Sequence, residues 1–349
     1  MTKTNAGNFF EDFKVGQVLD HATPRTVTEG DRALYQAFFG SRFSLQSSDE
    51  VARKAGYAQS PLDDMLVFHI VFGKTVPDIS LNAVANLGYA DCRFLKPVFP
   101  GDTLSATSEV IGLKQNSDGA TGVVYVRSTG RNQRGETVLD YVRWVMVRKR
   151  DKAAPAPETD VPTLPAAVDA KALAAPSGTN FKEFDTIASG SPHLWDDYEA
   201  GEKIDHVDGV TIEEAEHMMA TRLYQNTAKV HFNQFTEGQG RFGRRLIYGG
   251  HVISLARALS FNGLGNAALV AAINGGRHVA PCFAGNTVFA WSEVLAKEPI
   301  ADRDDLGALR IRTIATRDLP CSDFPGALER GYAEGVILDL DYWVFMPRR

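Results

Sequence analysis

The sequence predicts a duplicated α+β fold, in which each copy wraps a long antiparallel sheet around one buried helix. Three observations predict it: a repeat at one fixed offset, an all-round apolar helix in each copy, and strand-like runs after each helix. The repeat comes first, because self-similarity decides architecture. Asp12-Phe13-Lys14-Val15-Gly16 followed by Asp20-His21 reads again as Asp197-Tyr198-Glu199-Ala200-Gly201 followed by Asp205-His206, an offset of 185 residues. Thr26-Val27-Thr28-Glu29 returns at the same offset as Thr211-Ile212-Glu213-Glu214. Farther on, RFLKPVFPGDT from Arg93 returns as RHVAPCFAGNT from Arg277, at an offset of 184 after one deletion. Each copy closes on a strand holding a Trp, LDYVRWVMV and LDLDYWVFM.

The helix of the second copy is Gly249–Leu259, GGHVISLARAL, and its counterpart runs from Met65 to Phe72. Both are apolar on most faces, and such helices are buried. The strand runs after them are TLSATSEVIGL, GVVYVRSTGR and TVLDYVRWVMV in the first copy, and NTVFAWSEVLA, ALRIRTIATR and GVILDLDYWVFM in the second. Turn residues such as Asn116-Ser117-Asp118-Gly119 and Asn132-Gln133-Arg134-Gly135 separate them. One buried helix and a long sheet make an α+β layer in which the sheet wraps the helix.

The chain's 349 residues suit two domains at about 150 residues each. The first unit is expected at 1–150 and the second at 190–349. Between them, 151–189 is rich in Ala and Pro, with little periodicity, as in a semi-extended connector crossing the surface. Apolar residues at 44% and charged residues at 23% are ordinary for a soluble protein. The net charge of −6 leaves no basic surplus for a nucleic-acid backbone or an anionic membrane. An anionic ligand must therefore meet local Arg and Lys groups. Cys92, Cys282 and Cys321 form no close pair, so neither a disulfide framework nor a CxxC metal site is expected. The start, MTKTNAGNFFEDFKVG, has no apolar signal region, and no stretch approaches 18 apolar residues. A cytoplasmic protein fits this. No zinc spacing, no GxGxxG after a strand and no GxSxG occurs, so neither metal nor cofactor is expected.

With these segments in view, FLKPVFPGDT behind a Gly- or Asp-led apolar helix resembles the MaoC-type (R-specific) enoyl-CoA hydratase family. LYQNTAKVHFN, RRLIYGGHVISLARALSFNGL and INGGRHVAPCFAGNT are similar to the mesaconyl-CoA branch of that family. The resemblance spans essentially the whole chain outside the connector. It implies a tandem double hot-dog fold and a hydro-lyase that reversibly hydrates a branched enoyl-CoA, mesaconyl-CoA to β-methylmalyl-CoA. The implied partner is a CoA thioester, with no nucleic acid and no membrane. Two copies in one chain form an internal pair, which is expected to associate further into a homo-oligomer.

The resemblance also locates the chemistry. The family motif Gly-Asp-x-Asn-Pro-Leu-His sets Asp and His five apart, where they hold the catalytic water. The first copy reads Gly40-Ser41-Arg42-Phe43-Ser44-Leu45-Gln46, and both titratable groups are gone. The second reads Gln225-Asn226-Thr227-Ala228-Lys229-Val230-His231, with His kept and Asp replaced by Asn. Hydration needs a base for water, an acid for the α-carbon and donors for the thioester oxygen. His231, with an ordinary pKa of ~6.5, is the candidate base. Asn226 can orient the water or the imidazole but takes no proton. Either His231 works alone through water, or another acid such as Glu237 enters.

Gly249-Gly250 before the apolar helix is a candidate oxyanion site, with the Gly250 N–H on the thioester oxygen; it reads equally as a tight loop-to-helix turn. Tyr248 joins them as a substrate contact, and His251 reads as a core histidine or else as a second catalytic group. Arg244, Arg245 and Arg277 are candidates for a bidentate clamp on the substrate carboxylate, or else a solvated face. Asp63-Asp64 reads as a helix N-cap. A hot-dog thioesterase and a non-catalytic acyl-CoA-binding protein are the alternatives.

Overall fold

In the computed structural model, which describes residues 3–349, the two copies share one ten-stranded antiparallel sheet. The first copy contributes β1 (Val18–Thr26), β2 (Ala83–Phe94), β3 (Thr103–Gln115), β4 (Thr121–Arg131) and β5 (Thr137–Arg148). The second contributes β6 (Lys203–Thr211), β7 (Leu269–His278), β8 (Thr287–Pro299), β9 (Leu306–Arg317) and β10 (Val336–Pro347). Their order is β1-β3-β4-β5-β2-β7-β10-β9-β8-β6, so each half has the same topology and the halves meet where β2 pairs β7. At that seam Tyr89 faces Gly276 and Ala90 faces Gly275. A Cβ on Gly276 would lie 2.9 Å from the Tyr89 ring, so glycine lets that ring cross the seam.

The helices repeat as faithfully. α1 (Glu29–Phe39), α2 (Ser44–Ser47) and α3 (Asp64–Thr75) recur as α4 (Glu214–Leu223), α5 (Lys229–Phe232) and α6 (Gly249–Leu259). Thr28 and Asp31 form a capping box that starts α1. Gly40 ends α1 at φ 63°, and Gln225 adopts φ 55° at the matching position after α4. The central helices behave as their composition requires. Every residue of α3 from Met65 to Thr75 is buried, as is α6 from Gly250 to Ala258.

The helices lie in a core drawn from both halves. Bonds cross between them: the Asp64 carboxylate accepts the Val270 N–H at 2.8 Å, and the Tyr35 hydroxyl donates to Ser254 Oγ at 2.9 Å. The Ala/Pro-rich segment is tied down along its length. Asp160 bridges Leu113, Val168 donates to Asn274 Oδ1, the Trp343 indole donates to the Val168 carbonyl, and Phe181 is buried. Two strands per half exceed those expected after the helix. β1 and β6 are edge strands with mostly exposed residues and a register shift, so they alternate poorly. The start of β7 is a continuous buried run, which periodicity alone does not separate from helix.

Candidate active site at the N-terminus of the second central helix

α6 begins without a side-chain cap. Its N-cap residue, Tyr248, offers no acceptor to the first turn, whose N–H groups are orphaned by helix geometry. Tyr248 is itself held: its backbone N–H donates to His217 Nε2 at 2.9 Å, and its carbonyl accepts the His251 N–H at 2.9 Å. The Gly249 and Gly250 N–H groups find no acceptor among the described residues. Both glycines are sterically required. A Cβ on Gly249 would lie 2.3 Å from His278 Cε1, and one on Gly250 would lie 2.4 Å from Tyr248 Cε1 and 2.5 Å from His69 Cε1.

The first copy shows the same helix end closed. Asp63 stands where Tyr248 stands, and its carboxylate accepts the Met65 N–H at 2.9 Å. Gln46, in the place of His231, is buried and donates to the Ala268 carbonyl at 2.8 Å. Asp63 thus caps its helix as the sequence implied. Its carboxylate also occupies the donor that the second copy leaves open.

His231 lies on α5, with Nδ1 2.9 Å from the Leu246 carbonyl. A carbonyl only accepts, so Nδ1 carries the proton and Nε2 presents a lone pair. Its ring stands 5.4 Å from that of Tyr248. Burial lowers its pKa to about 4, so the imidazole is neutral at pH 7 and can act as a base. Asn226 is buried, and its Oδ1 accepts the Ala228 N–H at 3.1 Å. That leaves Nδ2, a donor, without an acceptor among the described residues. His278, pushed down to about 4 by burial, stands 3.3 Å from the Tyr89 hydroxyl. His217 is held neutral by burial, its pKa lowered to about 2, which suits its role as acceptor for Tyr248.

This arrangement joins an unprotonated imidazole nitrogen, a free amide donor and two uncapped glycine N–H groups on one short stretch of chain. The sequence profile of the mesaconyl-CoA hydratase family matches residues 1–322. The chain belongs to the mesaconyl-CoA hydratase family. It is 65% identical to a beta-methylmalyl-CoA dehydratase of Chloroflexus aurantiacus over 348 residues, covering 99% of each chain. It is 61% identical to a mesaconyl-CoA hydratase of Cereibacter sphaeroides, covering 99% of this chain and 100% of that one. A crystal structure of a MaoC domain protein from Chloroflexus aurantiacus superposes with a TM-score of 0.98 at 64% identity, with both chains fully covered. A Mycobacterium tuberculosis protein with a double hotdog fold follows at a TM-score of 0.72 and 25% identity, covering 98% of each chain. The double hot-dog fold expected from the sequence is the fold of this family member.

The arginines expected as a clamp do not converge on the family site. Arg244 is exposed, its guanidinium 4.1 Å over the Phe283 ring. Arg245 is paired with Glu214 at 2.5 Å. Arg277 is exposed on β7, one residue from His278, and strand alternation sends it to the opposite face. Glu237 ends an outer turn, its carboxylate beside Gly240, and is not brought to His231. His251 packs edge-on against Phe39 and His217 in the core.

Sequence reasoning passed over His278, His217, His69 and Tyr89. The repeat held a signal for two of them. His278 replaces Phe94, and His69 replaces Ser254, at matched positions. Histidine standing where the other copy has an unlike residue marks the places where the copies have diverged in chemistry. Among the described residues no group of three His, Cys, Asp or Glu side chains could hold a metal ion, and no helix is long and apolar enough to cross a membrane.

Proposed function

We propose that this chain catalyses the reversible hydration of mesaconyl-CoA to β-methylmalyl-CoA, with one working site per chain, in the second copy. The observation that carries the chemistry is the uncapped start of α6 beside the free Nε2 of His231. In the hydration direction the thioester oxygen sits against the Gly250 N–H, with Gly249 and the helix dipole adding to the positive field. Asn226 Nδ2 donates to the oxygen of a water molecule, and His231 Nε2 takes one of its protons. The water oxygen bonds to the β-carbon, the double-bond electrons move toward the thioester carbonyl, and the enolate charge falls on the N–H donors. Transfer of the proton to the α-carbon completes addition of one water.

Tyr248 forms the side of this site nearest the helix. Arg244, exposed on the approach to α6, is left to meet the CoA phosphates, whereas Arg245 and Arg277 are assigned no substrate contact. On this reading 1–150 is a supporting unit, 151–189 a tethered connector and 190–349 the catalytic unit. Three free, buried cysteines support a cytoplasmic setting. Phe232, Phe235 and Phe242, exposed along one surface segment, support further association into a homo-oligomer.

The test follows the absorbance of the conjugated thioester when purified protein meets mesaconyl-CoA. Decay of the band with the CoA ester intact is expected, together with a loss of about 10²–10⁴-fold in His231→Ala, the usual contribution of a general base. Release of free thiol would move the chain to the thioesterases. An unchanged substrate would remove the hydratase assignment.

A further inference from the structure

Among the described residues the largest fully buried side chain is a cation without an anion. Arg143 lies inside β5 with a relative exposure of 0%. Its Nη2 donates to Thr75 Oγ1 at 2.7 Å and reaches Ser80 Oγ at 3.4 Å. Its Nε and Nη1 are buried with no acceptor. Among the described residues no carboxylate forms an ion pair with it. Its Cζ stands 4.2 Å over the Phe72 ring, and Tyr89, Tyr141 and Tyr248 lie within electrostatic range. Taking a guanidinium out of water costs several kcal/mol unless an anion and hydrogen bonds offset it. Hydroxyls and ring faces answer only part of that cost.

The position of this cation connects it to the site. Arg143 packs on Phe72, whose ring is 5.7 Å from that of Tyr248, and Tyr248 in turn adjoins both Gly250 and His231. The wall is aromatic throughout, with Phe68, Phe72, Tyr89 and Tyr141 packed edge to face or tilted. Such a wall excludes water, and an ion pair formed within it gains strength accordingly. The buried arginine of the second copy, Arg257, spends its donors instead on Ser260 Oγ and the Ala267 carbonyl. The Trp of each closing strand aligns Arg143 with Tyr342, which hydrogen-bonds Thr313. The cation thus belongs to the half that lost its own motif, and Phe72 alone stands between it and the Tyr248 ring.

We propose that Arg143 receives the free carboxylate of the branched substrate at the inner end of the acyl site, and so selects a dicarboxylic over a monocarboxylic enoyl thioester. This rests on the hydratase reading above. The acyl group enters along the aromatic wall, with its thioester oxygen on Gly250 and its far carboxylate on one unspent Arg143 donor. Nε and Nη1 open to different sides of the planar guanidinium, so the carboxylate takes one of them in a charge-assisted hydrogen bond.

The experiment compares wild type, Arg143→Met and Arg143→Lys on mesaconyl-CoA and on crotonyl-CoA, which lacks the carboxylate. Wild type is expected to favour mesaconyl-CoA. Arg143→Met is expected to lose two to three orders of magnitude in kcat/KM on mesaconyl-CoA while holding or gaining on crotonyl-CoA. Arg143→Lys keeps a charge and should fall between them; it carries the comparison if the Met variant does not fold. A parallel fall on both substrates would make Arg143 a structural residue and overturn the proposal. So would undiminished turnover of mesaconyl-CoA. A wild type inactive on mesaconyl-CoA would instead overturn the hydratase reading, and this assignment with it.

Discussion

Acidification should unfold this protein sooner than its carboxylates alone would, because its core holds neutral histidines. His69, His206, His217 and His251 are at most 1% exposed. Burial lowers them to about 3, about 4, about 2 and about 3, against an unfolded value of 6.5. In each case the unfolded chain binds the proton more readily. Stability is therefore full above pH 6.5 and is lost as pH falls from there toward the folded values. Between pH 7 and pH 5 each histidine removes about 2 kcal/mol, at 1.36 kcal/mol per pH unit. Two buried carboxyls act in the opposite sense. Burial and the neighbouring Asp63 push Asp64 up to about 8, and burial raises Asp63. Asp64 alone gains about 3 kcal/mol over the same interval, since the stability its protonated form contributes is lost progressively as pH rises from 3.8 to about 8. The balance is a loss of a few kcal/mol by pH 5, which for a chain of this size lowers Tm by roughly 5–10 °C. Thermal melts at half-unit steps measure it directly. His251→Leu, which removes a buried ring whose Nδ1 has no partner, should flatten the slope by nearly one proton. A Tm that stays level or rises from pH 7 to pH 5, or an unchanged slope in the variant, would refute the reasoning.

Other outcomes follow from the same geometry. Gly250→Ala sets a methyl group 2.4 Å from the Tyr248 ring, so kcat should fall by about 10²-fold or more while CoA binding persists, as steady-state kinetics and equilibrium binding would report. Gln46→His should not create a second working site. Its position is buried, and Asp63 already occupies the helix donor there, so active-site titration should still count one site per chain.

How far the sequence discloses this depends on which physical rule governs each residue. The repeat displays the pairing of helices and most strands because the same turns, caps and buried faces had to recur at one spacing. Gly40 and Gln225 show the limit: one left-handed helix end uses two different residues, since backbone position rather than side chain is conserved between the copies. The loss of the first site is legible at Ser41 and Gln46, where no base remains. Its sealing is not, because only the folded chain shows the Asp63 carboxylate turned onto its own helix. Arg143 is hidden for a different reason. In LDYVRWVMV both Arg143 and Trp144 could face the core, and strand alternation permits only one. Hydropathy favours Trp144. The register decides otherwise, because Gly88 opposite Trp144 leaves an open place for the indole, which stacks on Tyr125. The neighbouring arginine is thereby turned inward. A residue carried to the core by its neighbour's packing is the kind a linear reading assigns to the surface, whereas Arg244 and Arg277 are exposed. Duplication resolves the apparent waste of a silenced half. Freed from holding a water, the first copy can hold a buried cation with unspent donors, Arg143, and the wall of Phe68, Phe72, Tyr89 and Tyr141 beside it.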